Sequence, residues 1–147
     1  MADQLTIKIQ QTSDYKFEVD FGAALSPIMA DLPPPLGEGS APSPEHLLLA
    51  AVANCLSASL LFALRKFKQN ADNIRCSISC TVDRNEQKRL RVTQINADIN
   101  LGKAAAEFEH LERILAQFED FCTVSQSVQA GIPLQINVFD GDGMVLK

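Results

Sequence analysis

Apolar and polar residues alternate in LTIKIQQ near the N-terminus and again from Tyr15 to Phe21, YKFEVDF. A period of two is what a strand with one buried face requires, so two half-buried strands are predicted, joined by Thr12-Ser13-Asp14. The pattern then stops. Residues 22–44 hold Gly22, Gly37 and Gly39 together with Pro27, Pro33, Pro34, Pro35, Pro42 and Pro44, a density of breakers that predicts a long loop without helix or strand. A loop of this length in a small domain is usually functional or mobile.

From Ser43 to Lys66, SPEHLLLAAVANCLSASLLFALRK, the signals at both ends agree on one helix. Ser43 suits the N-cap, Pro44 the first helical position, and Glu45 the positive end of the helix dipole. Arg65, Lys66 and Lys68 suit the negative end. The period returns to two in IRCSISCTV and in LRVTQINADINL, separated by the polar DRNEQKR, which predicts a hairpin. Ala104 to Phe118 carries Phe108, Leu111, Ile114, Leu115 and Phe118 at helical spacing. Phe121 to Ala130 reads as a shorter helix ended by Gly131, and PLQINVF as a last strand. The order ββ-α-ββ-αα-β predicts an α+β fold in one domain, residues 1–147, with antiparallel strands around a long central helix.

That helix is apolar on every side. Leu48, Ala51, Val52, Cys55, Ser59 and Phe62 lie along one face, while Leu47, Leu49, Ala50, Ala53, Leu56, Leu60 and Leu61 cover the rest. A chain of 147 residues has few elements with which to wrap it, so a second copy is expected to complete the burial as an obligate homodimer. Residues 47–64 are long enough to consider as a membrane span, but Asn54, Ser57 and Ser59 near the middle argue against one.

Charge narrows the partners. The formal net charge is −5, and only Lys8 and Lys16 precede Arg65 as basic residues. An anionic N-terminal half without a basic stripe disfavours nucleic acid and anionic membrane surfaces. MADQLTIKIQQ has no basic start followed by an apolar run, so no signal peptide and a cytoplasmic location are expected. There the four cysteines, Cys55, Cys76, Cys80 and Cys122, should rest as thiols. They form no C-x-x-C pair, and with only His46 and His110 to add, a zinc site is not expected.

Cys76 and Cys80 point the same way along one strand among isoleucine and valine, as small core residues do. Cys122 stands at the start of the short helix, where unpaired N–H groups should favour its thiolate. Cys55 is mid-helix without that support, and by its position alone it reads as structural.

Two stretches change this reading. PEHLLLAAVANC, and later F-C-x-V-S at Phe121 to Ser125 followed by GIPL, resemble the OsmC/Ohr family in order and in the placement of both cysteines. The resemblance covers nearly the whole chain. It implies an intertwined homodimer with two sites at the subunit interface and thiol-dependent reduction of small organic hydroperoxides to alcohols, without metal, flavin or other cofactor. Cys55 would be the peroxidatic thiol, oxidised to a sulfenic acid, and Cys122 the resolving thiol that closes a disulfide, which an external dithiol then reduces. Glu45 would match the glutamate that organises the pocket. Ten residues, about 15 Å of continuous helix, separate Glu45 from Cys55, so the glutamate should arrive from the other subunit unless the helix breaks.

The chain departs from the family in two places. Family members use an N-terminal arginine to favour the thiolate, and residues 1–64 contain no arginine. Losing that cation should raise the Cys55 pKa, with Lys8, Lys16 or His46 as possible substitutes. Thr123 stands where a proline often follows the resolving cysteine. The alternative function is therefore a non-catalytic redox-sensing or ligand-binding relative.

Overall fold

The computed structural model describes residues 2–147. The chain packs as two compact units, one running to Leu48 and the other starting at Leu49.

The first unit is a three-stranded antiparallel sheet followed by a loop and the first turn of a helix. Strands β1 (Lys8–Ser13), β2 (Lys16–Asp20) and β3 (Ile28–Ala30) lie in the order β1-β2-β3. The hairpin turns at Asp14, whose φ of 49° lies in the left-handed region that aspartate tolerates better than most residues. Half-burial holds for β2, where Val19 is buried and Phe17 half-buried, but all six residues of the edge strand β1 are exposed. The expected featureless loop also contains a strand. Ile28, Met29 and Ala30 pair with Val19, Glu18 and Phe17. An edge position makes this possible beside Pro27, because an edge strand need not offer every N–H to a neighbour.

Asp31 fixes the rest of the loop. Its buried carboxylate accepts the N–H groups of Leu32 (2.8 Å), Ser40 (3.0 Å) and Glu38 (3.2 Å) and the Ser40 hydroxyl (2.9 Å). These donors, the Ser40 N–H foremost, outweigh burial and lower the Asp31 pKa to about 2. Gly37 is required here, since a Cβ would strike the Leu32 carbonyl and the Asp31 carboxylate. Lys16 pairs with Glu38 across the same loop.

Helix α1 spans Pro44–Lys66 without a break. Ser43 caps it reciprocally with His46. The His46 N–H points at Ser43 Oγ (3.4 Å), and the Ser43 N–H donates to His46 Nδ1 (3.1 Å), the position a glutamate or glutamine usually takes in such a box. His46 is thus occupied in ending the helix.

The second unit contains the rest of α1 and a sheet in the order β4-β5-β6, from strands Arg75–Arg84, Leu90–Asn100 and Leu134–Phe139. The β4–β5 hairpin is antiparallel as expected, with Cys76 opposite Ile99 and Cys80 opposite Ile95. β6 departs from the expectation of antiparallel strands and runs parallel to β5, Ile136 beside Ala97. A parallel neighbour needs a long crossover, and residues 101–133 supply one. The core joins Leu56, Leu60 and Leu64 of α1 to Ile95 and Ile99 of β5, Val138 of β6, and Ile114 and Phe118 of the crossover, all fully buried. Truncating a leucine at such a position costs about 2–5 kcal/mol.

The helix expected from Ala104 to Phe118 is broken. A 3₁₀ turn at Ala105–Glu107 is followed by α2 at Leu111–Gln117, a second 3₁₀ turn at Phe118–Phe121, and α3 at Thr123–Val128. Two local features accompany the break. The Glu109 N–H is taken by Gln69 Oε1 (3.0 Å), and His110 turns to φ 58° before α2 begins.

Candidate active site

Cys55 stands at mid-length of α1, half-buried, and Cys122 is the fully buried N-cap of α3. The fold brings these two residues together, 67 positions apart in the chain, as free thiols in hydrogen-bonding contact. The two sulfurs are not equivalent. Burial opposes ionisation of Cys55, but it receives the Val124 N–H, the Cys122 thiol, the Ser59 hydroxyl and the Thr123 N–H. Together they lower its pKa below the ordinary thiol value. Cys122 moves the other way. Burial raises its pKa, and its role as donor to Cys55 raises it further, against the Ser125 hydroxyl and the Ser125 N–H at 3.4 Å from its sulfur.

This reverses the expectation for Cys122. The amides at the start of α3 were assigned to Cys122, which begins that helix, but those of Thr123 and Val124 serve Cys55. At Cys55 no arginine from residues 1–64 is on hand, and neutral donors lower the pKa instead. One of them depends on a departure from the family pattern: a proline at position 123 would have no N–H to give. Sequence reasoning missed Ser59 altogether, although its spacing from Cys55, four residues along a helix, puts it on the same face.

Beside Cys55 lies an open hollow of about 350 Å³ lined by Ala58, Ser59, Phe62 and Phe121. Phe62 and Phe121 meet edge to face at 5.2 Å between centroids, and both remain partly exposed. Lys66 Nζ lies 4.6 Å over the Phe121 ring, in cation–π range.

The remaining predicted residues are not among the hydrogen-bond partners of the two thiols. Glu45 occupies the first turn of α1, and because the helix is unbroken it stands about 15 Å along the axis from Cys55. Of the basic substitutes considered, Lys16 is committed to Glu38 and His46 to the Ser43 cap. Cys76 is half-buried on β4, and burial pushes its pKa up, with the Ser57 hydroxyl opposing and the Asp98 charge adding.

The family model described as OsmC-like protein matches residues 37–137. The chain belongs to the OsmC-like family. It is 26% identical over 108 residues to the organic hydroperoxide resistance protein-like 1 of Staphylococcus epidermidis, 73% of this chain and 76% of that protein. Its fold is similar to the crystal structure of an OsmC-like protein from Mycoplasma pneumoniae, with a TM-score of 0.76 at 14% identity, over 95% of this chain and 99% of the other. It is also similar to an organic hydroperoxide resistance protein OsmC from Legionella pneumophila, with a TM-score of 0.73 at 16% identity, over 94% and 98% of the two chains.

Proposed function

We propose that the chain is a two-cysteine peroxidase that reduces organic hydroperoxides to alcohols. The observation that carries this reading is the asymmetric thiol pair, one sulfur favoured as thiolate by the proton of the other. The names of the staphylococcal and Legionella relatives, which refer to organic hydroperoxide resistance, point the same way.

The chemistry follows from the proton inventory. The Cys55 thiolate attacks the outer peroxide oxygen, and the O–O bond breaks. The departing alkoxide takes a proton from water and leaves as the alcohol, while Cys55 keeps the transferred oxygen as a sulfenic acid. The Cys122 thiol then displaces that oxygen as water and forms a Cys55–Cys122 disulfide. An external dithiol returns both sulfurs to the reduced state, its own two sulfurs becoming a disulfide. The raised pKa of Cys122 suits the second step, since a neutral thiol beside the thiolate does not repel it before the peroxide arrives.

A homodimer completes this reading. α1 leaves Ala50, Ala51, Asn54, Ala58 and Phe62 exposed, a stripe of small and apolar side chains. In the first unit an open apolar hollow of about 370 Å³ is lined mainly by Ile9, Tyr15, Phe17, Ala30 and Leu47. A second copy would cover such faces and bring its own Glu45 towards Cys55, which one unbroken helix cannot do.

Peptide-mapped mass spectrometry of reduced protein, after one equivalent of an organic hydroperoxide, tests the proposal. Rapid loss of two hydrogens, assigned to a Cys55–Cys122 bridge, is the expected result. An unchanged mass would refute it. A bridge that forms but is not reopened by any dithiol would favour the redox-sensing alternative, for which the absence of arginine from residues 1–64 is the supporting observation.

A further inference from the structure

Cys55 and Cys122 are a preformed pair. Each is fixed by its helix, one at mid-length of α1 and the other as the N-cap of α3, and the Cys122 thiol donates to the Cys55 sulfur. Hydrogen-bonded sulfurs stand well beyond the ~2.05 Å of an S–S bond, so a disulfide must draw them together. A single atom bonded to both sulfurs fits the gap with little movement.

The donor set selects that atom. Among the described residues, no further histidine, cysteine, aspartate or glutamate joins the pair in a metal-binding group. Zinc, which takes four such ligands in a closed site, is left short of donors. Cys76 does not serve as a third sulfur, because its partner on α1 is Ser57, two positions from Cys55 and on another face of the helix. The bridging atom must therefore form two bonds to sulfur and bring its remaining substituent with it. A linear two-coordinate ion would spread the sulfurs apart, whereas pyramidal arsenic(III) keeps them close.

We infer that the Cys55–Cys122 pair is a binding site for monosubstituted trivalent arsenicals, R–As(OH)2 with R an alkyl or aryl group. The Cys55 thiolate attacks arsenic and displaces hydroxide, which takes a proton from solvent. The Cys122 thiol then displaces the second oxygen as water. Two As–S bonds replace two As–O bonds and arsenic stays trivalent, so no oxidant or reductant is consumed. The second bond closes within one molecule, where its thiol acts at a high effective concentration. Ala58, Phe62 and Phe121 beside Cys55 offer R an apolar surface. The site needs only the reduced pair and does not depend on the peroxidase reading.

Reduced protein treated with phenylarsonous acid or with arsenite, against glutathione as a competing monothiol, tests the site by intact mass and peptide-mapped alkylation. The expected adduct is one phenylarsenic group per chain, with Cys55 and Cys122 both protected and Cys76 and Cys80 alkylated as in the ligand-free protein. Phenylarsonous acid should bind at least about tenfold more tightly than arsenite, which brings only a hydroxyl to the apolar surface. Cys122→Ser should weaken binding about 100-fold or more, because the ring can no longer close. Cys76→Ser should stay within about twofold. Equal affinity for arsenite, protection of Cys76 or Cys80, or undiminished binding by Cys122→Ser would overturn the inference. The alkylation pattern of the unaltered protein decides the matter if the Cys122→Ser variant does not fold. A protein that binds the arsenical but turns over no peroxide keeps this site and loses the peroxidase reading. One that forms the Cys55–Cys122 disulfide with peroxide but excludes the arsenical loses this inference alone.

Discussion

Two pairs of cysteines occupy the second unit, and they have opposite fates. Cys76 and Cys80 lie four residues apart on β4, on the same half-buried side of the sheet. Cys55 and Cys122 lie 67 residues apart, yet the Cys122 thiol serves as a hydrogen-bond donor to Cys55. In the strand pair, burial acts on Cys76 with little to offset it, and the nearby Asp98 charge opposes ionisation further. At Cys55, burial is also the largest single influence, but four donors converge on one sulfur and reverse the outcome. Burial alone therefore does not make a thiol inert. What decides is how many N–H, O–H or S–H groups the fold aims at the sulfur.

Removing one thiol from each pair gives the largest contrast. Cys55→Ser should reduce hydroperoxide turnover to background, a loss on the order of a thousandfold or more, because the proposed nucleophile is gone. Cys76→Ser should stay within about twofold of the parent. Coupled-assay rates on the two purified variants check this, and comparable losses would collapse the distinction between the pairs.

Within the Cys55–Cys122 pair, Cys122→Ser should leave the proposed first oxidation and stop the cycle. The expected product is a Cys55 sulfenic acid, captured by a carbon-acid reagent at one label per chain. Continued multiple turnover by this variant would mean that another thiol resolves the sulfenate.

A smaller effect is expected from a single donor. Ser59→Ala removes one hydroxyl from Cys55, so the acid limb of the rate–pH profile should move to higher pH, and the rate near neutrality should fall about 3- to 10-fold. The sign follows from the thiol: its folded pKa is depressed by donors to the thiolate, so losing a donor raises it and shrinks the reactive fraction below that pKa. An unmoved profile with an unchanged rate would show that the backbone amides suffice.

The smallest effect concerns alkylation. At neutral pH a thiol reagent should label Cys55 first, whereas Cys76, raised by burial, should react at least about tenfold more slowly. Quenched time points analysed by peptide mass spectrometry give the order. Equal rates would mean that the donor count around each sulfur does not govern reactivity.

Several features of the molecule were legible as local chemistry. The ends of α1 follow from Ser43 and Pro44 on one side and Arg65 and Lys66 on the other, since caps and dipole charges act within a turn of the residues that carry them. The β4–β5 hairpin follows from strict alternation. The motifs around Cys55 and Cys122 carried the family assignment and named the two thiols that the fold places together. By contrast, β3 was hidden among prolines, because its pairing depends on Phe17, Glu18 and Val19 of another strand. The break before α2 was hidden because an apolar period continues through it, while Gln69, about 40 residues earlier, competes for the Glu109 N–H.

The electrostatics of the site belong to the tertiary structure alone. The sequence by itself determined where the thiols sit on their elements, that no arginine precedes residue 65, and that Thr123 retains an N–H. It could not determine which sulfur that N–H reaches. Read along the chain, the start of α3 belongs to Cys122; in space the Thr123 and Val124 N–H groups reach Cys55, and the Ser125 N–H stays with Cys122. Hydrogen bonds depend on distance and direction between atoms, and only the packing of α3 beside α1 sets those for residues so far apart in the chain.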